Sequence, residues 1–272
     1  MKTKSKIAAI PYLVWMLVFI IIPLGLVLFF GFTTKGGEFT FDNFTNIVKY
    51  AHVFWKSIYL SVIATAICLV LAFPLGFLMS RMSEVGQRTM LMLIMLPMWM
   101  SFLLRTYGWM TLLENEGLIN RFLGLFGIGP FHMINTQGAV VLGMVYNYLP
   151  FMILPIYSVI IKLDGSLLEA ARDLGANSMT VFRRVILPLS LPGVISGITM
   201  VFVPSVSTFA ISRMLGGGTE LLLGDLIERQ FLGGAYNPQL GAAISLVMMI
   251  IVLVCMLVMN RFGEGEEQAV ML

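Results

Sequence analysis

Six stretches of this chain, residues 7–32, 57–80, 89–113, 137–161, 191–212 and 239–260, are almost wholly apolar. Each reaches the length, about 20 residues, that a helix needs to cross the hydrocarbon core of a bilayer. Six such runs in one chain predict an all-α membrane protein with six transmembrane helices. Composition supports this, with 58% hydrophobic and only 11% charged residues, where a soluble domain carries about 25% charged residues. The first run follows Lys2, Lys4 and Lys6, as in a signal peptide. It is too long for a cleavable segment and no small-x-small site follows it, so it reads as a retained first helix.

Charge placement sets the orientation. With the N-terminus in the cytoplasm, ten cationic residues fall inside: Lys2, Lys4, Lys6, Arg81, Arg88, Lys162, Arg172, Arg183, Arg184 and Arg261. Six fall outside (Lys35, Lys49, Lys56, Arg121, Arg213 and Arg229), and Arg105 lies within the third span. The excess predicts that both termini are cytoplasmic in a multi-pass protein of the cell (inner) membrane. The expected division is 1–56, a first helix and external segment; 57–260, a core of five helices; and 261–272, a cytoplasmic tail. In the external connections, Leu118, Phe122 and Leu125 outline a short amphipathic helix, and "GDLIERQF" reads similarly.

Other function classes find no support in the residues. A net charge of +3, dispersed along the chain, argues against a nucleic-acid partner. Cys68 and Cys255 lie in apolar runs and read as small hydrophobes, and His52 and His132 stand apart. We find no metal-ligand spacing, no phosphate loop and no nucleophile beside a base. The chain reads as a non-enzyme with no catalytic residue and no metal site.

One long hydrophilic block, "LDGSLLEAARDLGANSMTVFRRVILPLSLP", falls between the fourth and fifth spans, on the cytoplasmic side. Ser166 and Glu169 have capping-box spacing. The helix they would start places Leu167, Ala171 and Leu174 on one face, and Gly175 supplies its left-handed end. A second helix is expected from Ser178, burying Val181, Phe182, Val185 and Ile186, with Pro188 and Pro192 breaking the path into the fifth span. On these grounds alone, an amphipathic connector and a docking element for another protein both fit. Pinned between two spans, the block is poorly placed to enter a DNA groove.

Within the block, "EAARDLGANSMTVFRRVILP" resembles the EAA loop of binding-protein-dependent ABC importer permeases. Glu169, Ala170, Ala171, Gly175, Leu187 and Pro188 match in register, and Val185 stands where isoleucine is usual. The resemblance implies a cytoplasmic coupling helix docked on an ATPase, with Glu169, Ala170, Ala171, Asp173, Gly175, Leu187 and Pro188 as coupling residues. "FLLRTYGWMTLL", "GLINRFLGLFGI", "VYNYLPFMILPIYSVIIKLDGSLLEAARDLGA" and "GDLIERQF" are similar to the first permease of spermidine/putrescine importers. That likeness implies a second homologous permease, two copies of the ATPase and an external polyamine-binding protein. ATP and Mg would be used by the ATPase, and this chain would bind no cofactor. The alternatives are a permease for another small organic solute and, in a different class, a self-sufficient secondary carrier or channel.

The pathway candidates come from the spans. Arg105 is a charge in an apolar run, and Trp109, four residues on, is placed for a cation–π contact. Trp99, Tyr107 and Trp109 offer aromatic faces to an ammonium group, although an aromatic belt would use the same residues. "VPSVSTFAIS" sets Pro204 beside Ser205, Ser207 and Thr208 as a hydroxyl-bearing wall. All fourteen acidic residues are expected in loops, leaving no carboxylate inside a span.

Overall fold

The computed structural model describes residues 10–234 and 236–270, without the side chains of 260 and 262–270. Lys2, Lys4, Lys6, the start of the first predicted run and the end of the tail lie outside the described residues. Among the described residues the secondary structure is helical, in eleven elements in chain order. They are α1 Ile10–Gly31, α2 Asp42–Ser80, α3 Glu84–Trp99, α4 Phe102–Leu113, α5 Leu118–Gly124 and α6 Gln137–Ile160. Then come α7 Gly165–Asp173, α8 Ser178–Ser207, α9 Ala210–Leu215, α10 Leu223–Phe231 and α11 Pro238–Val270. Five helices are long and apolar enough to cross a membrane, and α3 with the α4–α5 segment makes a sixth if that bent pair is one span.

The third predicted span is therefore not one rod. Pro97 sits in a 3-10 turn, Leu96–Trp99, and lacks the N–H that would continue the helix. Met100 and Ser101 follow in extended conformations, with ψ of 151° and 130°, and the chain bends by 88°. The fifth predicted span departs in the opposite sense. Pro188 and Pro192 do not interrupt α8, which runs unbroken from Ser178. A π-helical turn, Phe182–Ile186, widens the coil just before Pro188, so the ring is accommodated rather than expelled. Helix α2 likewise starts at Asp42, far upstream of the predicted 57, and takes up much of the connection that follows α1.

Two units divide the chain: residues 1–53 with 226–252, and residues 54–225 with 253–272. In the first, Phe32 gathers Phe39, Phe41 and Phe44 around it, and the Asn43 amide donates to the carbonyls of Gly31 and Thr33. The most apolar window of α1 has no residue buried by this chain, which leaves it open to lipid or to a partner subunit.

In the second unit α6 and α8 pack side by side. A Cβ on Gly193 would meet the Pro155 carbonyl at 2.8 Å, and one on Gly197 would meet the Met152 sulfur at 2.7 Å. Small residues thus set the approach of these two helices, as is usual between spans. Two apolar clusters fill this unit. One is built on Met152, Ile156, Leu168, Val181 and Ile186, and the other on Leu60, Met144, Ile211 and Leu215.

Candidate functional site

The hydrophilic block folds into α7, a glycine turn and the start of α8. Its N-cap is Asp164, not Ser166. The Asp164 carboxylate accepts from the Ser166 amide at 2.9 Å, so Ser166 is already helical and the capping box with Glu169 does not form. The aspartate at the cap position satisfies a free N–H as well as a serine would, and it stands earlier in the chain. That amide also holds the Asp164 carboxyl below its ordinary pKa.

At the other end Gly175 has φ of +82°. Its N–H reaches the Arg172 carbonyl at 2.8 Å, while the Ala176 N–H reaches the Ala171 carbonyl at 3.1 Å. This paired closure is a Schellman motif, for which glycine is the favoured residue. Asn177 then caps α8, accepting from the Thr180 amide.

The buried face of α7 differs from the predicted one. Leu168 is enclosed and Ala171 packs behind it, anchoring the helix on the cluster of Ile160, Val181 and Ile186. Leu167 and Leu174 stand 49% and 90% exposed, with Ala170 between them and Met179 beyond the turn 62% exposed. The helix therefore turns apolar side chains both inward and outward. Glu169 and Asp173 are also exposed, and neither has an ion pair among the described residues. Leu187 and Pro188 lie further on, on the outer side of α8 after the π-turn. The second helix buries Val181 and Ile186 as its sequence suggests, while Phe182 and Val185 are only half-buried.

The pathway candidates scatter over three elements. Trp99, at the end of α3, and Tyr107, on α4, are 77% and 56% exposed. Arg105 is half-buried on α4, and its Nε is enclosed with no hydrogen-bond partner. The expected stacking on Trp109 is absent. The Trp109 ring instead meets Tyr146 of α6 edge-on, with centroids 5.3 Å apart and planes at 68°. Ser205 is fully buried and its hydroxyl donates to the Val201 carbonyl at 2.7 Å. Ser207 donates to the Val203 carbonyl, and buried Thr208 ends α8 in an extended conformation.

Sequence reasoning uses the "VYNYLP" segment of α6 only for its likeness to other permeases and gives its residues no role. Besides Tyr146 it carries Tyr148, whose hydroxyl lies 3.4 Å from the Pro204 carbonyl, and Asn147, 2% exposed. The Asn147 amide donates to the Gly143 carbonyl, and its Oδ1 is buried without a partner. An asparagine flanked by tyrosines inside an apolar run was the available signal.

The acidic residues are not confined to loops. Asp42, Glu84, Glu169, Asp173, Asp225 and Glu228 lie on helices, as do Glu264, Glu266 and Glu267 at the end of α11, and Asp225 is buried with its carboxylate accepting from the Leu222 amide. Asp42 and Glu84 stand in the first turns of α2 and α3, Glu114 and Glu116 in the turn between α4 and α5, and Glu264, Glu266 and Glu267 beyond the apolar part of α11, Pro238–Met259, so the apolar bodies of the described spans still hold no carboxylate.

Comparison with known proteins agrees with this architecture. The spermidine/putrescine transport system permease protein PotB of Haemophilus influenzae is 41% identical over 260 residues, 92% of this chain and 91% of its own length. Its namesake in Escherichia coli is 37% identical over 257 residues, covering 91% and 93%. A crystal structure of a bacterial ABC transporter that imports the polysaccharide alginate superposes with a TM-score of 0.82 at 17% identity, covering 97% of this chain and 96% of that one. Residues 72–268 match the family described as the binding-protein-dependent transport system inner membrane component, and the chain belongs to that family.

Proposed function

We propose that this chain forms half of the transmembrane pathway of an ATP-driven ABC importer that carries polyamines such as spermidine and putrescine into the cell. The observation that carries this reading is the 41% identity to a spermidine/putrescine permease over 92% of the chain. A second homologous permease completes the pathway, two copies of a cytoplasmic ATPase drive it, and an external polyamine-binding protein delivers the substrate. Both termini face the cytoplasm, a reading supported by the ten-to-six bias of positive charge.

Coupling is assigned to Glu169, Ala170, Ala171, Asp173 and Gly175 on and just after α7, with Leu187 and Pro188 on α8. The outward Leu167 and Leu174 with small Ala170 between them suit a close protein contact, and the unpaired Glu169 and Asp173 suit cationic partners at its rim. ATP and Mg act at the ATPase, and this subunit carries no catalytic residue. Along the pathway we assign Trp99, Tyr107 and Trp109 to cation contact, Arg105 to gating, and Ser205, Ser207 and Thr208 to the wall at the end of α8. The hydroxyls of buried Ser205 and half-buried Ser207 serve there by holding the helix end, since both bond to their own helix.

Uptake of labelled spermidine by cells lacking this gene, with and without the gene restored, tests the assignment. Restoration should return saturable uptake that stops when the ATPase partner is inactivated. Uptake that persists without the ATPase would indicate a self-sufficient carrier, and restored uptake of a different solute class would overturn the polyamine assignment.

A further inference from the structure

A cleft of about 480 Å³ opens where the end of α2 meets the start of α8, within the second unit. Phe77 and Phe182 form its apolar wall, edge to face at 6.5 Å, and Met179 extends it. Arg81 and Arg172 line the same cleft, with Ser178 beside them, and no acidic side chain does. Arg81 is held in place by its own wall: its guanidinium carbon lies 5.2 Å from the Phe77 ring centroid. Such stacking leaves the N–H edge of the guanidinium free to donate. Arg81, Arg172, Arg183 and Arg184 are all exposed and have no ion pair among the described residues.

We propose that this cleft binds an anionic phospholipid, its phosphate between Arg81 and Arg172 and its glycerol backbone and upper acyl chain along Phe77, Met179 and Phe182. Two unpaired arginines call for an anion, and a planar guanidinium suits a phosphate. The aromatic wall calls for something apolar attached to that anion. A carboxylate from the ATPase would meet the charge but leave the wall uncovered. The cleft lies at the ends of two helices long and apolar enough to cross a membrane, a position that suits the junction of headgroup and chain. The sidedness proposed above decides only which leaflet supplies the lipid, so lipid binding and coupling stand or fall separately.

The test uses the assembled transporter, purified and exchanged into defined mixtures of phosphatidylglycerol and phosphatidylcholine, with bound lipid counted by native mass spectrometry. The wild type should retain phosphatidylglycerol preferentially. Arg81→Gln with Arg172→Gln should lose that preference, by about fivefold for each arginine removed. Arg81→Lys, which keeps the charge, should keep most of it and guards against a folding defect in the double variant. Arg88→Gln is the control, since Arg88 carries charge nearby, pairs with Glu84 and does not line the cleft. An equal loss in the control would reduce the effect to diffuse surface charge and overturn the site. So would displacement of the lipid by millimolar inorganic phosphate, which would make the ligand a free anion. Unchanged lipid preference with loss of the ATPase from the double variant would assign the arginines to the ATPase instead.

Discussion

Arg105 keeps a charge half-buried on α4 with its Nε enclosed and unpartnered, an arrangement that costs free energy in an isolated chain. A cost of that kind is offset when the residue meets an acceptor elsewhere, in the second permease or in the pathway. A cationic substrate would be repelled by it, so gating fits Arg105 better than binding. Arg105→Ala should therefore alter uptake or the substrate-independent ATPase rate while co-purification with the other subunits persists. Arg105→Lys separates this from snorkelling to the headgroups, where lysine would serve equally. Normal uptake and normal basal ATPase in the alanine variant would remove the gate assignment. Trp109 acts separately, because its ring partner is Tyr146: Trp109→Ala should forfeit that pair, about 0.5–1.5 kcal/mol beyond the buried area. The i, i+4 spacing of Arg105 and Trp109 was legible in the sequence, but spacing on one helix cannot tell which ring a neighbouring helix will present. Tyr146 and Asn147 escaped notice for the same reason, since their significance lies in what α6 packs against.

At the scale of elements, α7 shows which local signals carried through. Gly175 was readable because a left-handed helix end has few solutions, and φ of +82° with two closing hydrogen bonds is the outcome. The cap was misjudged by two residues because Asp164 and Ser166 are both good capping residues, and only the chain path leaving α6 chooses between them. The kink at Met100 and the absence of one at Pro188 have a common cause. A proline states that an N–H is missing, while neighbouring turns decide whether the helix bends, breaks or widens. These observations set a discriminating test. Gly175→Val should strain the turn by ~1–2 kcal/mol and weaken ATPase association without preventing membrane insertion. Glu169→Lys should weaken association by reversing a charge on the exposed face. Asp164→Ala should loosen α7 while Ser166→Ala leaves it intact, read as ATPase retained on co-purification. Because the Asp164 pKa is lowered in the folded chain, its cap is fully formed at neutral pH and is lost only as pH falls through that lowered value. Equal association in all four variants would remove α7 from the coupling assignment.

The whole molecule presents a chemically one-sided surface to a polyamine. Its described spans hold tyrosines, tryptophans and hydroxyls, and carboxylates stand only in the first turns of α2 and α3, in the turn between α4 and α5, and beyond the apolar part of α11. Several ammonium groups cannot be moved past apolar helices without negative charge or aromatic faces to replace water. Exposed Trp99 and Tyr107 supply some aromatic surface, and Arg105 works against the cation. On the proposed function, the missing charge comes from the other half of the pathway. We predict that the spans of the second permease carry aspartate or glutamate facing this chain, and that this chain reconstituted alone in proteoliposomes moves no spermidine. Addition of the second permease and the ATPase should restore ATP-dependent uptake. Neutralising the partner's intramembrane acids should abolish that uptake, while ATPase association, assigned above to α7, should be retained. Transport by this chain alone would contradict the shared pathway. A partner whose spans also lack acids would contradict a cationic substrate, and Arg105 would then be reassigned from the gate to the binding of a neutral or anionic solute.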